Sequence, residues 1–208
     1  IRGIMTRSPR DFREVSTQSV VLACGGFEAN PEMRVRYLGP AWDFAKVRGT
    51  AANTGDGIGM ALAIGARPFG NYSGCHAVAW DAGAPPFGDR RIGDLFQKHS
   101  YPLGLIVNRD GLRFVDEGAD IRNFTYARYG KEILNQPGRI AFQVFDSQVT
   151  DRLRDEYRIR EVMSATGESI EAIAEELGID SVVFSCTVSQ YNDAVNEGEY
   201  DPSRLDGK

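Results

Sequence analysis

Residues 20–27 have the sequence Val-Val-Leu-Ala-Cys-Gly-Gly-Phe, and this stretch narrows the choice of fold more than any other part of the chain. The apolar run 19–23 does not alternate with polar residues, which favours a strand buried on both faces of a parallel sheet. Gly25 and Gly26 follow at its exit. A backbone without Cβ atoms can closely approach a nucleotide or flavin, although an ordinary turn is the commoner use of such glycines.

A second glycine motif lies about thirty residues further on, at Thr54-Gly55-Asp56-Gly57. It opens a predicted helix that continues through apolar residues to Gly65, with Thr54 or Asp56 as the N-cap. The free N–H groups of such a helix start can bind an anion or a carbonyl oxygen. The two glycine motifs together are more informative than either alone.

The rest of the chain differs from this N-terminal part in composition and in its predicted elements. Residues 67–103 are rich in Gly, Pro and aromatic residues and predict ordered loops. Asp110-Gly111 predicts a tight turn between strands 105–108 and 112–115, and 140–145 is another predicted strand. A helix capped by Ser169 and a second helix containing Val188, Tyr191 and Val195 close the chain. We place a domain boundary near residue 67, which divides the chain into 1–66 and 67–208.

Composition excludes several classes of protein. The chain has 208 residues and a net charge of −5, and residues 151–208 hold fourteen acidic against six basic side chains, which argues against nucleic-acid binding. The apolar runs are too short for a membrane span, and arginines near residue 1 interrupt any signal peptide. An odd number of cysteines, three, favours reduced thiols and a cytoplasmic location.

Candidate ligand-binding side chains lie in the loop-rich segment. The two histidines, His76 and His99, lack the spacing of a zinc site, so no metal is predicted. Arg90, Arg91 and Lys98 are near them in sequence, and converging imidazole and guanidinium groups can bind carboxylates. A lone loop histidine is nevertheless more often structural. No Gly-x-Gly-x-x-Gly follows an N-terminal strand, so the chain is either no dinucleotide-binding enzyme or has that motif upstream of residue 1.

The motifs described above, in their order along the chain, resemble those of the flavoprotein family of fumarate reductase and succinate dehydrogenase. This family also includes aspartate oxidase and ketosteroid dehydrogenase. Four stretches carry the resemblance. They are residues 20–27 (with Cys24 where the family has Thr), 54–57, 105–117 and 187–192. The resemblance implies an α+β fold, in which 67–208 is the substrate-capping (catalytic) domain of the family and 1–66 is a partial arm of its FAD-binding domain.

The resemblance also implies an FAD-dependent oxidoreductase that acts on CH–CH bonds. Arg122 and His76 are the implied catalytic residues: Arg122 would exchange a proton with substrate carbon, and His76 would hold a substrate carboxylate. The residues implied to line FAD are Ala23, Gly25, Gly26, Thr54, Gly55 and Asp56. Because the pyrophosphate-binding loop of the family is missing from the sequence, we expect the isolated chain to hold FAD weakly and to be inactive.

Residues 70–76 and 85–102 look most like the tricarballylate dehydrogenases of this family, which implies oxidation of tricarballylate to cis-aconitate. Gln97, His99 and Arg128 would then bind the substrate. An electron-accepting membrane or iron-sulfur protein would be the partner. Three alternatives stay open: a flavoprotein of precorrin-3B synthesis, a flavoprotein acting on a steroid, and a carboxylate-binding module without redox chemistry.

Two departures from the family concern proton transfer. Gln97 and Ser100 occupy the positions of a Glu and an Arg that relay protons in fumarate reductases, and one residue is inserted between Glu117 and Arg122. An arginine side chain in water loses its proton only above about pH 12, so it needs help to act as a base. We therefore expect a different relay, for example through Glu117 or Asp120.

Overall fold

The computed structural model describes residues 1–195. Within that range two small antiparallel sheets and five helices are joined by long loops with short 3₁₀ turns. The strands are β1 (Gly3–Arg7), β2 (Phe12–Ser16), β3 (Leu105–Asn108) and β4 (Ala141–Val144). The helices are α1 (Pro31–Leu38), α2 (Asp56–Ala63), α3 (Arg122–Leu134), α4 (Ile170–Leu177) and α5 (Ser181–Ala194). None of them has the length and hydropathy of a membrane-spanning segment.

The N-terminal part differs from the expected strand, turn and helix. Its sheet is the β1–β2 hairpin, which is almost wholly exposed. The predicted strand at 19–23 is wrong, since these residues form no ladder with another strand and Val21 is 89% exposed. A strand of a parallel sheet depends on neighbouring strands for its hydrogen bonds, and residues 1–195 place none beside this segment.

The predicted helix after the second glycine motif is confirmed as α2. Its N-cap is Gly55, which has a φ of 83° and makes no side-chain cap, so the expected capping by Thr54 or Asp56 is wrong. The Thr54 hydroxyl instead donates to Asp56 Oδ1 at 2.9 Å. Gly65, with a φ of 87°, ends the turn that follows α2, as expected from its freedom to adopt a positive φ.

The turn at Asp110-Gly111 is confirmed, but the hairpin around it is shorter than predicted. Gly111 has a φ of 78°, and the Asn108 side chain accepts from the N–H groups of Asp110 and Leu112 at 3.0 Å each. After one bridge between Val107 and Arg113 the chain leaves the sheet, so 112–115 is not a strand. β3 pairs with β4 instead, which confirms the strand predicted at 140–145.

The two C-terminal helices pack on the β3–β4 sheet. Ser169 caps α4 and Gly178 ends it in the left-handed conformation, both as predicted. Phe184 of α5 is fully buried in the core between the helices and the sheet. The other buried members of this core are Leu105, Val107, Ala174 and Ile179. A second core of Tyr101, Ile106 and Tyr129 attaches α3 to the other face of β3.

Replacement of Asp180 by alanine should lower the free energy of unfolding by about 0.5–2 kcal/mol, the usual cost of losing a helix N-cap. Asp180 Oδ1 accepts from the N–H groups of Val182 and Val183 at 2.9 and 3.0 Å, which satisfies two donors at the start of α5. Urea denaturation followed by circular dichroism measures the change. The matched control is Asp193→Ala, which removes a carboxylate from the last turn of the same helix, far from its N-terminus. Equal losses in the two variants would contradict the capping role.

Hydrogen bonds cross the proposed boundary at residue 67. Val47 N donates to Pro86 O, and Gly88 N donates to Gly49 O, each at 2.8 Å. The Lys46 ammonium donates to the Ala82 carbonyl at 2.5 Å. The division into 1–66 and 67–208 stays a prediction, and the last residues of the second segment lie outside the described range.

Candidate active site

Three of the predicted site residues meet around a single aromatic ring, that of Tyr126. The His76 and His99 rings contact it edge-on, with ring centroids 5.0 and 4.9 Å from its own. The Arg122 guanidinium lies 5.5 Å from the same centroid. Arg122 Nη1 is 3.3 Å from His99 Nδ1. Residues from well-separated parts of the sequence thus form one cluster of imidazole and guanidinium groups.

Helix α3 positions this cluster. Arg122 is its first residue and Tyr126 lies four residues later, so the two side chains share one face of the helix. The Tyr101 hydroxyl donates to the Arg122 carbonyl at 3.4 Å and also contacts the Thr125 hydroxyl, which ties the first turn of α3 to the core. Arg122 Nη2 donates to Asn123 Oδ1 at 2.9 Å, leaving the guanidinium anchored on two sides.

The cluster has an exposed layer and a buried layer. His76 is exposed and Arg122 is half-buried, whereas His99 is only 5% exposed. Burial lowers the pKa of His99 to about 4, because the imidazolium form loses hydration; Glu156 opposes this shift, and the guanidinium groups of Arg122, Arg154 and Arg48 add to it. His99 is therefore neutral at pH 7.

The buried carboxylate beneath His99 belongs to Glu156, which is 2% exposed. Glu156 Oε1 accepts from the backbone N–H of His99 at 2.9 Å and lies 4.0 Å from His99 Nδ1. Glu156 Oε2 accepts from Arg154 Nε at 3.0 Å. Since His99 is neutral at pH 7, its side-chain contact with Glu156 is not a salt bridge in that state. The carboxylate becomes a direct ion-pair partner only when the imidazole gains a proton.

Other predicted residues lie outside this cluster. Gln97 is half-buried and its backbone forms a bridge with Trp80. Arg128 is exposed, and its guanidinium lies 5.4 Å from the Tyr129 ring, on a different side of α3 from Arg122. Both stay predictions as substrate ligands.

Glu117 and Asp120, the expected relay candidates, have structural contacts. Glu117 is buried, where it accepts from the N–H of Ile106 and from Arg113 Nε at 3.2 Å. Asp120 Oδ1 accepts from the N–H of Ile121 at 2.6 Å, just before α3 begins. Neither has a hydrogen bond with Arg122 among those found in residues 1–195, so the relay expected through them finds no support in this geometry.

The two glycine turns predicted to hold FAD are adjacent in space. Gly55 N donates to Gly26 O at 2.9 Å, and Asn30 Nδ2 donates to Thr54 O at 2.9 Å. Beside them lies a cavity of about 380 Å³, whose lining includes Cys24, Gly25, Gly57 and Tyr72. Ala23 and Asp56 are exposed at the same junction. The structure therefore brings the two glycine turns together, and the six residues at them stay predictions as FAD ligands.

The glycines at this junction allow its two segments to pack closely against each other. A Cβ at Gly25, whose φ is 79°, would lie 2.6 Å from Asn53 Oδ1, and one at Gly57 would overlap Cys24 Sγ. The first N–H groups of α2 have no partner within the helix, and Gly57 in its first turn lines the cavity. Such a junction of bare backbone suits FAD, a large ligand with phosphate and carbonyl acceptors.

Sequence reasoning missed Tyr126 and Glu156. Tyr126 lies four residues after Arg122, and helical spacing would have found it had α3 been predicted. Glu156 lies in a stretch rich in both acidic and basic residues, a composition typical of segments exposed to solvent. No local pattern marks Glu156 as buried.

The chain is similar to several known proteins. A family model described as FAD binding domain matches residues 1–204. A probable fumarate reductase, Ifc3, of Shewanella frigidimarina is 31% identical over 89% of this chain and 29% of its own length. A 3-oxosteroid 1-dehydrogenase of Mycobacterium tuberculosis is 28% identical over 95% of this chain and 38% of its own. The chain thus spans about a third of the length of these relatives.

A solved structure shows the same fold. The open conformation of a flavocytochrome c3 fumarate reductase superimposes with a TM-score of 0.63 and 27% identity. The superposition covers 89% of this chain and 31% of the other.

Proposed function

Since this chain belongs to the FAD binding domain family of flavoproteins, with FAD as its cofactor, we propose that it forms part of an oxidoreductase that removes hydrogen from, or adds it to, a CH–CH bond. FAD supplies the hydride acceptor or donor when bound. Ala23, Gly25 and Gly26, with Thr54, Gly55 and Asp56, would hold it at the glycine junction. Residues 67–208 would be the capping domain over the substrate, and 1–66 part of the FAD-binding domain.

The observation that carries this proposal is the cluster of His76, His99 and Arg122 around Tyr126. In its exposed layer a guanidinium and an imidazole lie against the same tyrosine ring, and groups of these two types suit a substrate carboxylate. Arg122 would also exchange the proton on the carbon next to the one that exchanges hydride. Its fixed position would supply the alignment that such a transfer needs.

We propose a carboxylate substrate, specifically a tricarboxylate oxidised as tricarballylate is to cis-aconitate. The exposed layer favours it, because a steroid would place apolar surface against charged and imidazole groups. An electron-accepting membrane or iron-sulfur protein would reoxidise the flavin. The steroid alternative is supported by the similarity to a 3-oxosteroid 1-dehydrogenase over nearly the whole chain.

Anaerobic reduction of the flavin in the full-length FAD-loaded protein tests the proposal. The panel contains tricarballylate, succinate, a corrinoid precursor and a 3-oxosteroid. We expect tricarballylate to bleach the absorption of the oxidised flavin fastest. Bleaching by the steroid alone would overturn the substrate class, and carboxylate binding without bleaching by any compound would make the chain a non-redox binding module.

A further inference from the structure

The buried layer of His99 and Glu156 has been given no chemical step in the proposed function. Arg122 can take a proton from substrate only after it has lost one, and an arginine in water keeps its proton up to about pH 12. A nearby group must therefore receive the guanidinium proton. Gln97 and Ser100 stand at the positions where the resemblance to fumarate reductases implies a proton-relaying Glu and Arg.

The tautomer of His99 follows from its contact with Arg122. A guanidinium only donates hydrogen bonds, so His99 Nδ1, 3.3 Å from Arg122 Nη1, is the acceptor. The ring hydrogen of the neutral imidazole is then on Nε2, which is buried without a hydrogen-bond partner in residues 1–195. His99 thus presents a free electron pair to Arg122. Burial lowers the pKa of His99 and makes it a weak base, so the imidazolium forms only transiently and depends on the Glu156 carboxylate beside it.

Charged groups from several segments face His99. Arg122 and the Tyr126 ring come from α3, Arg154 and Glu156 from the loop after β4, and Arg48 from the loop after α1. Arg48 is paired with Asp94 through Nε and Oδ1 at 2.6 Å, and Arg154 is paired with Glu156. Glu156 is the carboxylate whose oxygen comes within 4.0 Å of His99 Nδ1.

We propose that His99 Nδ1 accepts the proton that Arg122 gives up before it acts as a base, and that the buried Glu156 carboxylate holds the imidazolium so formed. His99 and Glu156 act on the substrate only through Arg122, by controlling the protonation of its guanidinium. The inference rests on the proposed function. In this arrangement a Glu and an Arg at positions 97 and 100 are not needed, because the proton leaves Arg122 through the buried His99.

The transfer balances. The Nη1–H bond of Arg122 breaks and the Nδ1–H bond of His99 forms, leaving a neutral guanidine and an imidazolium. One substrate C–H bond then breaks, its proton goes to the guanidine, and its electron pair forms the C=C bond; bound FAD would supply the acceptor for the hydride of the neighbouring C–H bond. Loss of the His99 proton to water restores the neutral imidazole.

His99→Asn and Glu156→Gln test the relay in the full-length FAD-loaded protein. The introduced asparagine would be able to accept from Arg122 with its side-chain oxygen but cannot carry the proton onward. In His99→Asn we expect single-turnover flavin reduction to slow by about 10²-fold or more, the size of a lost acid-base step. The substrate dissociation constant should stay within about threefold of wild type, because His99 is only 5% exposed and the relay replaces the substrate contact predicted for it. Exposed Glu161→Gln is the matched control for the Glu156 variant and should leave both quantities unchanged.

Nuclear magnetic resonance of the imidazole signals gives a readout independent of turnover. The His99 signal is assigned as the one that is absent from the spectrum of His99→Asn, and His76→Gln identifies the signal of the other cluster histidine. Glu156 raises the pKa of His99 against the effect of burial, so Glu156→Gln should move the His99 titration below the wild-type value of about 4. A His99 titration unchanged in this variant would overturn the proposed contact.

The flavin-reduction rates of wild type and the variants distinguish a failure of the proposed relay from a failure of the proposed function. If wild type reduces its flavin with a member of the panel and His99→Asn does so at a similar rate, the relay is wrong and the proposed function stands. If wild type reduces its flavin with none of them, the proposed function is wrong and the relay falls with it. If His99→Asn fails to retain FAD, the rate in Glu156→Gln decides: a wild-type rate overturns the relay, and a loss of tenfold or more supports it.

Discussion

Replacing Arg122 by alanine is expected to slow flavin reduction by about 10²- to 10⁴-fold while the protein keeps its FAD. The guanidinium is held over Tyr126 and beside His99, where it would exchange the substrate proton. The glycine junction that would hold FAD involves other residues, so its occupancy should not change. Stopped-flow absorbance under anaerobic conditions measures the rate, and the spectrum of the purified protein measures the FAD content.

Arg160→Ala is the matched control, since Arg160 is an exposed arginine outside the cluster. It should reduce its flavin at the wild-type rate. A normal rate in Arg122→Ala would refute the role of this residue in proton transfer. Loss of FAD from Arg122→Ala would instead show that Arg122 helps to hold FAD, contrary to the unchanged occupancy expected above.

Replacing Phe184 by alanine should lower the free energy of unfolding by about 3–5 kcal/mol, the usual cost of emptying a large core position. Phe184 is fully buried between α4, α5 and the β3–β4 sheet, and a Cβ added at Gly111 would lie 3.2 Å from its backbone nitrogen, so the turn packs directly on it. Neighbours this close cannot collapse fully into the space left behind. Urea denaturation monitored by circular dichroism gives the change.

Val182→Ala on the same helix is the control for Phe184→Ala. Val182 is 77% exposed, so its truncation should change the free energy of unfolding by less than about 0.5 kcal/mol. Similar losses for both variants would mean that α5 is not packed as described.

Local patterns predicted most of the helices and turns correctly. Ser169 and Gly178 bound α4 because capping and a left-handed end depend on neighbouring residues only. Strands were harder to predict from local patterns than helices and turns. The run 19–23 has the composition of a buried strand, yet it is not one here, because a strand depends on partners far away in the sequence. For the same reason β3 pairs with β4 rather than with residues 112–115.

The sequence by itself determined the family, since two glycine motifs with fixed neighbours carry that information locally. The six residues assigned to FAD at those motifs stay a prediction. The sequence also marked His76, His99 and Arg122 as candidates. Only the tertiary structure decided their arrangement. It placed His99 behind Arg122 and buried Glu156, 57 residues away, beneath His99. Burial sets whether an imidazole is charged, and burial depends on which distant segments fold over it, which no spacing along the chain records.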